Sequence, residues 1–513
     1  MSGDARALPL RDTPVGGPAA ARRRRLRGRR AGALIGASRA QWLGAICLLA
    51  IVAGSLLVVV MAADRPSILS PTTHASFFPR WMAGPLGGAW PGLTRNTTVL
   101  RWLFSGAIVA MYVAYLLALR YAPALPARSV IAAVVLVHCF FLLAPPMALT
   151  DVFNYINYGR MEVVHHLNPY TTIPILEPHS DPSYAVSNWH QLLSPYGPLF
   201  TLLTFAVVPL GVAASFWGLK LILVAASLAT IALVWRCARL LGRDPVAAIV
   251  LVGLNPIVLV WGLGGDHNDS LMLLLIMLGF FLLLRARPTG VGDRRGGPAR
   301  WLLPLSSTEI VAGCAFVAAA AIKASAGVLI PVVLAGLLRS RRRLVQVMLG
   351  MLLAAAAVGG ASLIAFGLHV PDLSTQSRLV TSESVPNLIG LAVGAGGETE
   401  SLRLALSGVL AACVLACCVY AWRRQESLVA SGWASVALLV TLSWVLPWYV
   451  LWVLPLAALS GSRRLRATAA LLGAYLIISW APASTLVWSA IGFHPEKTSL
   501  GRLHQRYVKE LLN

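Results

Sequence analysis

The sequence predicts an all-α polytopic membrane protein, and three observations carry that reading. Of 513 residues, 58% are hydrophobic and only 12% are charged, about half the charged share of ordinary soluble domains. Mean hydropathy is +0.74. The net charge of +23 is made by short arginine clusters between apolar runs, the pattern of cytoplasmic loops in multi-span proteins rather than of a nucleic-acid-binding domain. Seven cysteines lie in or beside apolar runs without metal-site spacing, so neither a disulfide framework nor a zinc site is expected.

Residues 1–40 are polar and contain the run Arg22 to Arg30. They read as a disordered basic tail at the cytoplasmic membrane surface, where anionic lipid favours it. The apolar run Trp42 to Ala63 is too long for a signal-peptide core and reads as an uncleaved anchor. Basic clusters follow at Arg120 and Arg128, Arg236 to Arg243, Arg285 to Arg300, Arg339 to Arg343, Arg423–Arg424 and Arg463 to Arg466. Placing all of them inside requires an even number of crossings between neighbours. Spans at 99–119 and 129–149 follow the anchor. Parity lets one of 198–213 and 215–235 cross, and the first then lies in the outer interface as a juxtamembrane helix. Four hairpins come next, at 246–263 with 270–284, 308–322 with 324–338, 345–367 with 402–422, and 428–445 with 448–460. A last helix at 467–490 brings the total to about thirteen spans of roughly bilayer length. The membrane domain is 41–490, with a catalytic loop at 151–214, and 491–513 is an extracytoplasmic tail.

This layout gathers the long loops and most acidic residues outside, where acid–base chemistry then belongs. Asp151 directly follows an apolar run and opens the polar stretch Asp151-Val152-Phe153-Asn154-Tyr155-Ile156-Asn157-Tyr158-Gly159-Arg160. It is a candidate general base, or the cap of a helix starting at Val152, or both. Asn168-Pro169-Tyr170 and Ser194-Pro195-Tyr196-Gly197-Pro198-Leu199 are rigid turns whose aromatics suit either a sugar face or an interfacial belt. In Gly264-Gly265-Asp266-His267-Asn268-Asp269-Ser270 five polar groups share a tight turn. They bind a hydroxylated acceptor or a phosphate, or else Asn268 or Asp269 caps the next helix.

Lys323 lies midway in the apolar stretch Ile310 to Leu338, at the turn of a hairpin whose arms of about fifteen residues rise about 22 Å. An ammonium below the membrane surface costs about 2.5–3.5 kcal/mol, so an anionic partner is expected, unless the side chain snorkels outward. Arg160 and Arg378 are further external arginines able to reach a lipid phosphate. Trp448, beside Pro447 and Tyr449, either walls a lipid site or marks a helix break.

The order and sidedness of Asp151, Asn154, Tyr155, Tyr158 and Gly159, of Asn168-Pro169-Tyr170, of Ser194 to Leu199, of Asn255-Pro256, of Gly265 to Asp269 and of Leu446-Pro447-Trp448-Tyr449 resemble the polyprenyl-phosphate-dependent glycosyltransferases of the GT-C superfamily. The sequence is similar to the actinobacterial α-mannosyltransferases that elongate lipomannan and related lipoglycans, over roughly residues 95–460. The resemblance implies a GT-C-like bundle and an inverting transfer of a hexose, mannose by family, from a polyprenyl-phosphate sugar to a cell-envelope glycan or glycolipid at the extracytoplasmic face of the plasma membrane. Asp151 takes the acceptor proton in that scheme. Lys323, with Arg160 and Arg378, holds the donor phosphate. Asn154, Tyr155, Tyr158, Tyr170, Tyr196, Asp266, His267, Asn268, Asp269 and Trp448 surround the sugars, and Asp266 or Asp269 shares the base role or does not. No nucleic acid and no cofactor are implied; a divalent metal is the minor alternative, short of a second carboxylate beside Asp151. A transporter or a flippase for lipid-linked sugars is the competing reading, and it predicts internal repeats and broken helices around a mid-membrane site.

Overall fold

The structure, a computed structural model, describes residues 18–63, 69, 79–89, 96–147, 150–286 and 307–512, with the backbone alone for 18–37. The first seventeen residues of the basic tail, most of the loop at 64–78 and the arginine-rich stretch from 287 to 300 lie outside the described residues.

Every regular element among the described residues is helical. In chain order they are α1 (Pro18–Ala63), α2 (Arg80–Ala83), α3 (Thr97–Tyr121), α4 (Ala127–Leu143), α5 (Asp151–His165), α6 (Pro198–Val207), α7 (Val212–Leu240), α8 (Pro245–Gly253), α9 (Asp269–Arg285), α10 (Ser307–Ile322), α11 (Leu329–Leu337), α12 (Arg341–Phe366), α13 (Ser374–Ser377), α14 (Val385–Ala392), α15 (Glu400–Arg424), α16 (Ser427–Thr441), α17 (Leu454–Ser460), α18 (Arg463–Trp480), α19 (Ser484–Ala490) and α20 (Ser499–Leu512). Polar residues start several of them. Asn96 accepts from the Thr98 and Val99 N–H groups, Asp244 from Val246 and Ala247, and Ser462 from Leu465, which satisfies donors that a first turn leaves unpaired.

The chain is a polytopic membrane protein. Among the described residues, α1, α3, α7, α12 and α15 are each long and apolar enough to cross a membrane. Several other expected crossings coincide with shorter apolar helices, among them α4, α10 and α16, whereas the run expected at 246–263 is divided between α8 and a π-helical turn at Val258–Leu263. Pro198–Leu210, expected to lie along the interface, is one of these short helices, and the neighbouring α7 is a full-length span. The expected single helix at 467–490 is two pieces, α18 and α19, bent by 76°. Pro482 stands at the break, and its ring and missing N–H prevent the helix from continuing.

Three of the basic helix ends meet. Arg120 from α3, Arg243 from the α7–α8 connection and Arg466 from α18 line one cavity of about 380 Å³. At the opposite end the loops fold over one another: Gln191 donates from its backbone to the Leu511 carbonyl at 3.1 Å, and Thr381 to Ser443 at 2.9 Å. Leu192, Leu379 and Leu511 form a small core between these segments. One large apolar core runs through the bundle below. By contrast α15 is peripheral, with Leu404 and Leu415 exposed, as a lipid-facing helix must be.

Candidate functional site

Asp151 is the first residue of α5, and Thr150 occupies the cap position without a side-chain capping bond. The expectation that Asp151 caps a helix at Val152 therefore gives way to a carboxylate left free of that duty. It lines a cavity of about 770 Å³ at the loop end of the bundle, a volume within the about 300–1,000 Å³ usual for ligand sites. The rest of α5 is buried through Gly159 and organises the wall. The Asn154 side-chain oxygen accepts from the backbone N–H groups of Asn188 at 3.0 Å and Trp189 at 3.4 Å. Tyr158 donates from its hydroxyl to the Leu192 carbonyl at 2.6 Å. Tyr155 meets Tyr196 and Phe200 edge-on, with centroids 4.6 and 4.7 Å apart. Tyr155, Tyr158, Tyr196, Trp189 and Trp448 all face the cavity.

The Gly264–Ser270 turn lies against this wall. Asp266 adopts φ 56°, a left-handed conformation that Asp tolerates better than most residues. At Gly265 a side chain would run into the His267 imidazole and the Trp261 carbonyl. The turn thus directs successive polar groups to different partners. Asp266 is bound through both oxygens to the Lys220 ammonium, at 3.0 and 3.1 Å, and both residues are fully buried. His267 lies flat on Trp448, centroids 3.4 Å apart and planes 9° from parallel. Its Nδ1 is 3.1 Å from the Asp151 carboxylate, but off the line of a directed hydrogen bond. Asn268 is wholly buried, its backbone N–H reaching the Tyr155 hydroxyl at 3.4 Å, and its side-chain amide finds no partner among the described residues. Neither Asn268 nor Asp269 caps α9 through its side chain: α9 starts at Asp269, and Asn268 makes no capping bond.

Asp269 instead accepts from the Lys323 ammonium at 2.7 Å and from the Trp452 indole N–H at 2.6 Å. Lys323 interrupts the chain between α10 and α11, as the hairpin reading expected, in an extended conformation with φ −151° and ψ 124°. The Gly197 N–H donates to the Ile322 carbonyl just before it at 3.2 Å, and a side chain at 197 would collide with Ala321. This explains why Gly stands in the Ser194–Leu199 turn. The ammonium is 4.9 Å from the centre of the Tyr449 ring and 5.6 Å from that of Trp452, within cation–π range. It lines the same cavity as Asp151. An ammonium carries three donors, so those not used by Asp269 remain for a ligand.

The other expected residues lie elsewhere. Arg160 forks onto Asp181, with Nε at 2.9 Å from one oxygen and a terminal nitrogen at 2.8 Å from the other, and His165 joins them at 2.7 Å. Burial alone would raise the Asp181 carboxyl, but Arg160, Ser183 and His165 more than offset it and hold the group below the usual carboxylate range. Nearby, burial pushes the Glu177 carboxyl up to about 8 against an opposing effect of Asn157. Neither Glu177 oxygen completes a hydrogen bond among the described residues. Tyr170 binds the Tyr196 carbonyl and the Thr201 hydroxyl, each at 2.9 Å, beneath the turn rather than at the cavity. Arg378 is exposed beyond the cavity rim.

Two cations escaped the sequence reading. Lys220 is the lone charge within the apolar stretch of α7 from Val212 to Trp235, the same signal that singled out Lys323. Arg403 lines the cavity and pairs with the buried Glu398 at 2.8 Å, which also accepts from Ser443 at 2.6 Å. Among the described residues no three His, Cys, Asp or Glu groups converge as metal ligands.

A family profile described as "Alpha-(1->6)-mannopyranosyltransferase, N-terminal domain" matches residues 41–339, and another described as "MptB C-terminal domain" matches residues 383–492. The chain is 27% identical over 379 residues to alpha-(1->6)-mannopyranosyltransferase A of Mycobacterium tuberculosis, covering 66% of this chain and 67% of that protein. It is 29% identical over 385 residues to alpha-(1->6)-mannopyranosyltransferase Rv1459c of the same organism, covering 62% and 63%. With alpha-(1->6)-mannopyranosyltransferase B of Corynebacterium glutamicum the identity is 25% over 343 residues, covering 62% and 56%. The chain thus spans 67%, 63% and 56% of these three relatives' own lengths. No solved structure matches the chain.

Proposed function

The chain belongs to the alpha-(1->6)-mannopyranosyltransferase family, and from that premise we propose that it transfers a mannosyl group from a polyprenyl-phosphate donor to a cell-envelope mannan or glycolipid, with inversion, at the extracytoplasmic face. The observation that carries this reading is the convergence of Asp151 and Lys323 on one aromatic-walled cavity. The acceptor hydroxyl attacks the anomeric carbon from the face opposite the phosphate. The new C–O bond forms as the bond to the phosphate oxygen breaks, the hydroxyl proton passes to Asp151, and polyprenyl phosphate departs. Lys323 faces the departing oxygen, where a preorganised cation counts for most, while Asp269 and Trp452 fix its position. The Trp448-stacked His267 sets its Nδ1 3.1 Å from the other side of Asp151.

Leu410, Leu438 and Leu442 line the same cavity from α15 and the end of α16, which supports entry of the isoprenoid tail between those helices. Arg160 is committed to Asp181, so the donor phosphate falls to Lys323. The basic helix ends then face the cytoplasm by the positive-inside rule, with the N-terminus on that side. The test is purified protein in nanodiscs with polyprenyl-phosphomannose and an α-(1→6)-mannoside acceptor. Transfer by the native protein and its loss in Asp151→Asn are expected; equal turnover by the two overturns the reading.

A further inference from the structure

A second cavity, of about 550 Å³, abuts the first. Trp444, Trp480 and Val508 line both. The 380–387 segment and α14 make its floor, the bend between α18 and α19 one side, and α20 the roof. Two features separate its chemistry from that of the apolar route between α15 and α16. It lies at the loop end, where α18 finishes, and it mixes two half-buried indoles with the polar side chains of Ser382, Glu383, Ser479 and Gln505. Flat apolar rings ringed by hydroxyl, amide and carboxyl groups suit a pyranose chain, whose C–H faces are apolar and whose rims are hydroxylated. They do not suit an isoprenoid, which would strand those polar groups without partners.

We propose that this second cavity is the subsite for the body of the acceptor glycan, an oligomer of neutral hexoses that crosses Trp444 and Trp480 so that its terminal hydroxyl reaches Asp151 in the first cavity. The proposal rests on the mannosyltransferase reading above. The roof fits the role: α20 turns Tyr507, Val508 and Leu511 toward the protein and Arg502 and Arg506 outward, while His504 and Lys509 join Gln505 at the cavity's edge, and the helix is tied down where the Leu511 carbonyl accepts from Gln191. Burial also lifts the Glu383 carboxyl above its ordinary range, and its oxygens are acceptors for sugar hydroxyls.

The experiment compares α-(1→6)-linked mannose disaccharide and hexasaccharide acceptors with the full-length protein, native and carrying Trp480→Ala or Gln505→Ala. A subsite here gives the native protein a higher kcat/KM on the hexasaccharide. Trp480→Ala lowers the hexasaccharide-to-disaccharide ratio of kcat/KM by about tenfold, the scale of one lost aromatic contact, and Gln505→Ala lowers it by about threefold to tenfold, the scale of one lost hydrogen bond. Calorimetry of hexasaccharide binding without donor reads the subsite apart from turnover, and Trp480→Ala weakens that Kd by a similar factor. Transfer with an unchanged ratio and an unchanged Kd overturns the subsite. Failure of the native protein to transfer to either acceptor, with saturable binding that Trp480→Ala weakens, overturns the mannosyltransferase reading and upholds the subsite.

Discussion

The Lys323 ammonium rests 2.7 Å from the Asp269 carboxylate, whose other oxygen takes the Trp452 indole N–H at 2.6 Å. One end of this arrangement faces the cavity and the other is buried, so two substitutions separate charge from scaffold. Lys323→Gln keeps a donor for Asp269 and is expected to lower kcat by about 10²–10³-fold, the usual effect of removing one preorganised group that stabilises developing charge. Lys323→Ala leaves Asp269 buried without its cation and is expected to destabilise by about 3–5 kcal/mol, read as a lower Tm in detergent. A Lys323→Gln protein with native kcat would remove Lys323 from the chemistry.

Asp151 neither caps α5 nor anchors a buried network. Its replacement by Asn is therefore expected to leave expression and Tm near native while transfer falls by about 10²–10⁴-fold, the range for loss of a general base. His267→Phe preserves the stack on Trp448 but removes Nδ1. A smaller fall in kcat, about tenfold, is expected, and His267→Ala, which also empties the stack, should lower it further.

Lys220 and Asp266 are both sealed from solvent, and a buried ion pair is intolerant of losing one member. Lys220→Met is expected to lower Tm more than Lys220→Met combined with Asp266→Asn. A double-mutant cycle on thermal unfolding measures the coupling. Additive losses would mean that the pair does not hold the 264–268 turn.

Glu177 supplies a pH signature. Its carboxyl is raised from 4.5 to about 8 by burial, so its contribution to stability is fully present below about pH 4.5 and is lost as pH rises through about 8. Glu177→Gln, which stays neutral, is expected to match the native Tm near pH 5 and to exceed it by a few °C near pH 9, consistent with about 1–3 kcal/mol for a buried polar group lacking partners. Equal differences at both pH values would show that Glu177 is not the titrating group.

The helical, membrane-spanning character of the chain and the interruption at Lys323 were legible because apolar length and isolated charge are one-dimensional signals. The polar character of Gly264–Ser270 was equally visible, but its division of labour was not. That Asp266 and Asp269 each hold a lysine behind the wall rather than line the cavity depends on a left-handed φ at Asp266 and on cations from α7 and the α10–α11 break, contacts distant in sequence. Arg160 illustrates the converse. An external arginine looks available for phosphate until the fold brings Asp181 to it. The bend at Pro482 hid inside a run read as one helix, and with it the return of α20 over the cavities.

An ammonium already balanced by a carboxylate exerts little pull on passing anions. Inorganic phosphate brings no tail to bury and gains almost nothing by entering beside Lys323. A prenylated phosphate adds about 25 cal/mol for each Å² of chain withdrawn from water. In the proposed reaction Asp269 thereby makes the site a discriminator of greasy cargo, and soluble phosphate is expected to compete poorly even at concentrations that would flood an uncompensated lysine.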